Sequence, residues 1–327
     1  MSITLSDIKS AAQRLNGVAI RTPLLTSAVL DERLAARVYI KPECLQHIGA
    51  FKFRGAYNRM SQLSDQQKTL GVVAFSSGNH AQGVAYAAQI IGTAATIVMP
   101  SDAPKIKLEN TKRLGATVRL YDRGTESREE IAAEIATTTG ATLVPAFDDL
   151  DIIAGQGTCA LELIEQLHEK ESSPDILLCP CGGGGLLAGV STAVKSLQGD
   201  CKIYGVEPEN YDDHLQSKLA GERVTISPPC GTSCDALMAT SPGEITWSIN
   251  SNTVDDYLVV TEEEVKHAIS FAFRYLKVVV EPGGVVPLAA LLSNKIDVKG
   301  QTVAIILSGG NIDSQSYSLC LEQYPSP

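Results

Sequence analysis

Short apolar runs alternate with amphipathic stretches along most of the chain. GVVAFSS (71–77) is bounded by a glycine and two serines and predicts a buried strand. NHAQGVAYAAQIIG (79–92) spaces its apolar residues as a helix does. ATIVMP (95–100) predicts a second strand, PKIKLENTKRLG (104–115) a helix that stops at Gly115, and TVRLYD (117–122) a third strand. A charged helix over Thr125 to Thr139 and a closing strand, ATLVPAF (141–147), complete the unit. Strand and helix alternating at this spacing imply a parallel sheet with right-handed crossovers.

The pattern then restarts. GQGTCALELIEQL (155–167) is helical, DILLCP (175–180) is a strand, and LLAGVSTAVKSL after four glycines is a helix. KIYGVEP (202–208) predicts a strand and TEEEVKHAISFAFRYL (261–276) a helix whose first turn is acidic, which suits the helix dipole. GGVVPLAALLS is a further helix, and QTVAIILSGGN (301–311) is a late strand ending in glycines. The expectation is an α/β protein of two lobes, each with a mainly parallel twisted sheet flanked by helices. Residues 51–147 would form the small lobe, and 1–50 plus 148–327 the large one, with a cleft between them. No internal repeat or low-complexity linker interrupts this order.

Composition narrows the class. The chain has 327 residues, 44% of them hydrophobic but only 5% aromatic, so aliphatic side chains must fill a sizeable core. A net charge of −10 argues against non-specific nucleic-acid binding. MSITLSDIKSAAQRL reads as a polar-apolar helix without a signal-peptide core, and no run is long enough to span a bilayer. The eight cysteines lie scattered, mostly in apolar runs and without a C-x-x-C pair, which reads as buried thiols in a reducing, cytoplasmic setting.

Ligands of open α/β sheets sit beyond the strand C-terminal ends. Three segments fall there: SSGNH (76–80), CGGGG (181–185) and LSGGN (307–311). SSGNH and LSGGN are each compatible with a plain cap or turn. Four consecutive glycines are costly for a turn alone, and backbone N–H groups at a helix start make an anion cradle. The sequence matches neither the nucleoside-triphosphate loop nor the dinucleotide fingerprint. Lys52 stands between Phe51 and Phe53 in GAFKFRGAYN (49–58), where desolvation by two rings would lower its pKa. A phosphate cradle, a lysine of that kind and a strand ending in serine together fit one ligand, pyridoxal phosphate.

The ordered motifs GAFKFRGAYN, FSSGNHAQGVA, IAGQGT, PCGGGGLLAG, YGVEPE and VVEPGG…LSGGN resemble the tryptophan-synthase-β-like class, fold type II, of pyridoxal-phosphate enzymes. Within it the chain is similar to the serine/threonine dehydratases, serine racemases and 3-hydroxyaspartate dehydratases, over nearly its whole length. The resemblance implies that Lys52 is the Schiff-base lysine and catalytic base, and that Phe51 lies against the cofactor ring. Asn79 would bond the ring hydroxyl, Gly182, Gly183, Gly184, Gly185 and the amide of Leu186 the phosphate, and Ser308 the pyridine nitrogen. Ser76, Ser77, Asn79 and His80 would receive the substrate carboxylate. It also implies a Mg²⁺ or Ca²⁺ site, with Mn²⁺ a substitute, from Glu207, the Tyr211 carbonyl and Asp213; composition alone reads GVEPENYDDH as a solvated acidic loop.

Several positions depart from the family pattern. Ala50 replaces the usual serine, Cys234-Asp235-Ala236 replaces Ala-Asp-Gly, and Tyr211 replaces a small residue. Ser27 and Tyr121 match the racemase nucleotide site, but His47 replaces its basic residue, so ATP activation is not expected. The chain stops soon after SGGN, so isoleucine feedback through an appended domain is not expected either. The implied activity is β-elimination of water from L-serine, L-threonine or a 3-hydroxyaspartate, giving a 2-oxo acid and ammonia. Racemisation, with Ser77 as the acid–base on the second face, is the alternative. A β-replacement synthase and a non-catalytic cofactor-binding protein stand further off. The partner is a small amino-acid substrate, with no nucleic acid or membrane, and the group implies a homodimer.

Overall fold

Two parallel sheets organise residues 2–103 and 105–325, which the computed structural model describes. The larger sheet holds β1 (Arg37–Pro42), β6 (Ile176–Pro180), β7 (Lys202–Pro208), β8 (Asp256–Val260) and β9 (Thr302–Leu307), in the order β1-β9-β6-β7-β8. The smaller holds β2 (Val72–Phe75), β3 (Ala95–Pro100), β4 (Thr117–Tyr121) and β5 (Thr142–Leu143), in the order β4-β3-β2-β5. Among the described residues, the strands within each sheet pair in parallel throughout.

Both faces of each sheet are covered, so their central strands are apolar throughout. Along β9, Val303, Ile305 and Leu307 enter one core with the helix Pro282–Leu292, while Ala304 and Ile306 enter another with Leu150–His168 and Gly185–Leu197. In β2 and β3 the same alternation sends Val72, Ala74, Ile97 and Met99 to one side and Val73 and Val98 to the other. Burying each such branched side chain contributes roughly 1.5–3 kcal/mol.

The elements depart from the sequence pattern in instructive places. β1 and β8 were not expected. RVYIKP carries two charges, and its Lys41 is nonetheless fully buried. The expected strand over 141–147 pairs only at Thr142–Leu143. Val144 adds one bond to Val73, and Pro145, which has no N–H, then ends the ladder. The helix over 155–167 begins earlier, at Leu150, because Asp149 caps it. The helix expected over 104–115 spans Lys105–Arg113; Pro104 lies outside the described residues, as do Met1, Ser326 and Pro327.

Candidate active site

The ends of β2, β6 and β9 lead into Ser76–His80, Cys181–Gly185 and Ser308–Asn311. Residues 48–52 lie across the last of these. Ala50 bridges Gly309, the Phe51 N–H donates to the Ser308 carbonyl at 3.0 Å, and Asn311 Nδ2 donates to the Ile48 carbonyl at 2.8 Å. Asn311 also donates to Asn79 Oδ1 at 2.9 Å, joining the first segment to the third. The helix Asn79–Ile91 packs so closely on the helix Lys52–Met60 that a Cβ at Gly83 would stand 3.2 Å from the Lys52 backbone. Phe147 joins the glycine run to this assembly, because a Cβ at Gly183 would lie 2.6 Å from its ring. All three segments therefore converge around Lys52.

Lys52 is the first residue of its helix. Its Nζ donates to the Ala146 carbonyl at 2.7 Å and sits 5.2 Å from the centre of the Phe51 ring. The residue keeps some contact with solvent, but its amine is enclosed, and burial lowers its pKa to about 8. The second ring expected beside the amine is not there. Phe53 is fully buried among His47, Tyr57 and Tyr86, with ring centres 5.0, 5.7 and 5.3 Å away. One residue along an α-helix turns a side chain by about 100°, so Lys52 and Phe53 leave on different faces.

His80 is buried, and its Nε2 lies 2.9 Å from the Val144 carbonyl. A carbonyl only accepts, so Nε2 carries the proton and Nδ1 is a bare acceptor. That Nδ1 has no partner among the described residues. Burial, then the Lys52 charge, push the imidazole pKa to about 3, and the ring is neutral at working pH. Ser76 accepts the Gly78 N–H at 3.1 Å, and Ser77 is half-buried beside it.

The glycine run is shaped by its surroundings. Gly184 has φ +87°, which favours glycine, and a Cβ there would lie 2.7 Å from the buried His214 ring. Gly185 and Gly182 are less tightly confined, with a Cβ 2.9 Å from Phe147 and 3.1 Å from Leu237 respectively. From below, Thr246 Oγ1 donates to the Gly183 carbonyl at 2.7 Å and Asn250 Nδ2 to that of Gly184 at 3.2 Å. Asp148 in turn accepts three N–H groups at the start of the helix Glu244–Thr253, at 2.9–3.1 Å. With those carbonyls drawn inward, the N–H groups opening the helix Gly185–Leu197 are left for an anion. Leu186 is buried in the first turn of that helix, and Ser308 is buried at the end of β9.

Asn79 is held from both sides: besides Asn311, its Nδ2 donates to Glu281. Glu281 is buried, and burial, opposed by Lys107 and aided by Asp235, raises its pKa to about 7. Lys107 is buried too and reaches Asp235 at 2.6 Å and Glu281 at 3.4 Å, so it ties the small-sheet side to the large-sheet side. The replaced tripeptide Cys234-Asp235-Ala236 thus keeps a working Asp235 within a short turn.

Glu207 and Asp213 are both fully buried, with Tyr211 also buried between them in sequence. Glu207 accepts the N–H groups of His214 and Leu215 at 2.9 Å each. Neither oxygen of Asp213 has a partner among the described residues. Burial, with Asp213 nearby, pushes Glu207 well above its usual range, and burial raises Asp213 to about 8. No cluster of three His, Cys, Asp or Glu side chains forms among the described residues, so a cation here would need carbonyl or water ligands as well.

Ala146, Asp148, Lys107, Thr246 and Asn250 were not anticipated, because each acts through a contact distant in sequence. Glu281 and Asn311 carried a signal, since both lie inside the ordered motifs VVEPGG and LSGGN.

Known proteins fit this geometry. The family description "Pyridoxal-phosphate dependent enzyme" matches residues 15–309. The L-threo-3-hydroxyaspartate ammonia-lyase of Saccharomyces cerevisiae is 44% identical over 96% of this chain and 95% of its own. The L-threonine ammonia-lyase of Thermotoga maritima is 46% identical over 95% of this chain and 76% of its own. The structure of maize serine racemase superimposes with a TM-score of 0.91 at 37% identity, covering 100% of both chains. Two parallel sheets, a glycine cradle and an enclosed lysine, with relatives matching along nearly the whole length, place this chain in the pyridoxal-phosphate-dependent enzyme family.

Proposed function

We propose that the chain is a pyridoxal-phosphate-dependent ammonia-lyase. It eliminates water from a hydroxy amino acid of the serine, threonine and 3-hydroxyaspartate class. The enclosed Lys52 amine, with its pKa lowered to about 8 at the meeting point of three strand-end segments, carries this reading. The cleft lies between a small lobe, 51–147, and a large lobe, 1–50 plus 148–327; support comes from the small sheet falling within 72–143 and the large one within 37–42 and 176–307.

When bound, the cofactor supplies the electron sink that makes the substrate Cα–H acidic. Lys52 holds the cofactor covalently and then serves as the base at Cα, a task suited to an amine that is partly neutral near pH 8. Gly182 to Gly185 and the Leu186 amide hold the phosphate, Phe51 flanks the ring, and Asn79, fixed by Glu281 and Asn311, donates to the ring oxygen. Ser308 is a neutral partner for the ring nitrogen. It leaves the ring a weaker sink than a carboxylate would, which favours prompt elimination. Ser76, Ser77 and the N-terminal turn at Asn79 and His80 receive the substrate carboxylate, where helix N–H groups favour an anion.

Racemisation is the second reading. It is favoured by the half-buried Ser77 hydroxyl on the substrate loop and by the maize serine racemase likeness. A panel of L-serine, D-serine, L-threonine and the hydroxyaspartate stereoisomers, assayed for 2-oxo acid and for inversion, separates the two. Inversion without 2-oxo acid from any substrate would overturn the lyase reading. Ser77→Ala should remove inversion more fully than elimination of an L-substrate.

Glu207, the Tyr211 carbonyl and Asp213 bind Mg²⁺ or Ca²⁺ in this reading. Its support is two buried carboxylates, one with no partner at either oxygen among the described residues. A carboxyl whose folded pKa is raised holds its proton between the unfolded value and about 8, so without metal it weakens the fold as pH rises across that window. A cation removes this penalty. The gain in melting temperature from added Mg²⁺ or Ca²⁺ should therefore be larger at pH 8 than at pH 5.5. Equal melting with cation and with chelator at pH 8 would remove the site. A homodimeric, cytoplasmic enzyme completes the reading. Eight free thiols support the reducing compartment, and the exposed Phe273, Tyr275 and Val279 support a subunit contact.

A further inference from the structure

Arg54 follows Lys52 by two residues, and the chemistry above makes no use of it. That spacing turns its side chain about 200° around the helix from Lys52. As Lys52 reaches into the cleft, Arg54 reaches away from it, and it is fully buried. Its Nε and Nη2 fork onto Glu43 at 2.7 and 2.9 Å, and Nη1 and Nη2 fork onto Glu162 at 2.7 and 2.9 Å. Nη1 also donates to Thr158 Oγ1 at 3.3 Å and Nη2 to the Ile20 carbonyl at 3.2 Å. Every N–H of the guanidinium has an acceptor. Lys41, fully buried on β1, closes the group by donating to Glu162 at 2.7 Å, to Gln166 at 3.0 Å and to the Thr22 carbonyl at 2.9 Å. Two cations and two carboxylates thus form a neutral quartet joining the 20–22 segment, β1, the turn at Glu43 and the helix Leu150–His168 to the first turn of the lysine helix.

That first turn needs an anchor. Phe51 caps it with no side-chain hydrogen bond. Two pins, Phe51 N–H to Ser308 and Gly55 N–H to Gln156 Oε1 at 3.1 Å, hold the backbone, but neither fixes rotation as two opposed forks do. A buried ion group is weak evidence of added stability compared with an apolar core, whereas its directional demands are strict. We propose that Arg54 is a positioning residue, whose double fork sets the rotation of the helix so that the Lys52 amine is presented to the cofactor. The proposal rests on the reading of Lys52 as the cofactor lysine.

Arg54→Lys keeps the charge but cannot make two forks. In that variant the dissociation constant for pyridoxal phosphate should rise by about 10-fold and kcat fall by about 10- to 100-fold, with KM within about threefold of the parent. The pH midpoint for cofactor capture by the apo-protein should also move. Glu162→Gln leaves the Glu43 fork in place, weakens the Glu162 fork and the Lys41 contact, and should shift the same readouts by about threefold. A folded Arg54→Lys that melts lower yet keeps the parent dissociation constant, kcat and pH midpoint would overturn the proposal. If Arg54→Lys does not fold, unchanged values in Glu162→Gln overturn it instead. A parent protein that captures no cofactor would defeat the Lys52 reading itself, and that outcome is seen before any variant is made.

Discussion

Lys52→Ala is expected to lower turnover by at least about 10⁴-fold, because covalent attachment and the base at Cα vanish together. The fold should survive. Among the described residues the amine makes one hydrogen bond, to the Ala146 carbonyl, and burial disfavours its charged form. The sign of the pH effect follows from that. An unfolded lysine keeps its proton up to about pH 10.4, whereas the enclosed one loses it near 8. Below 8 the apo-protein carries the full cost of an enclosed ammonium, and between 8 and the unfolded value its stability rises. Melting curves of apo-protein at pH 7.5 and 9.5 should show the parent gaining on Lys52→Ala across that interval. A variant that keeps more than a few percent of parent turnover would exclude Lys52 from the chemistry.

Gly184→Ala should be the most damaging single change in the anion cradle. A left-handed φ costs an alanine roughly 1–2 kcal/mol. The new methyl would also lie 2.7 Å from the His214 ring and 2.8 Å from Asn250 Nδ2, and overpacking of this kind costs about 1–3 kcal/mol. His214 and Asn250 are both fully buried and cannot simply swing aside, so the loop itself must move. Its N–H groups then lose their common aim, and affinity for pyridoxal phosphate should fall by about 100-fold, equivalent to some 2.7 kcal/mol. Gly199→Ala is the control, since among the described residues its methyl meets only the Lys195 carbonyl, at 3.7 Å. Cofactor titration of the two variants decides the matter: equal affinities would mean the glycine run is a plain turn.

How far the sequence speaks depends on the range of the forces involved. β3 and β7 match their apolar runs residue for residue, because strand patterning is local. β1 was hidden by Lys41, whose charge is acceptable inside a sheet only because Glu162 and Gln166, far along the chain, meet it. The strand over 141–147 was overextended. Past Leu143 its carbonyls leave the ladder to hold His80 and Lys52, a use no periodicity reveals. Phe53 misled through adjacency: a neighbour in sequence lies on another face of a helix, and it joins the core with Tyr57 and Tyr86. Motif order located Lys52, the glycine run and SSGNH. The residues that orient them, Thr246, Asn250 and Lys107, came from contacts made only on folding.

The central claim is that the Lys52 nitrogen holds the cofactor. Reducing the holo-protein with borohydride, digesting it and locating the pyridoxyl mark by mass spectrometry tests this directly. One modified peptide is expected, containing GAFKFR, with the mark on Lys52. A mark on Lys107 or any other lysine instead, or no mark at all, would contradict it.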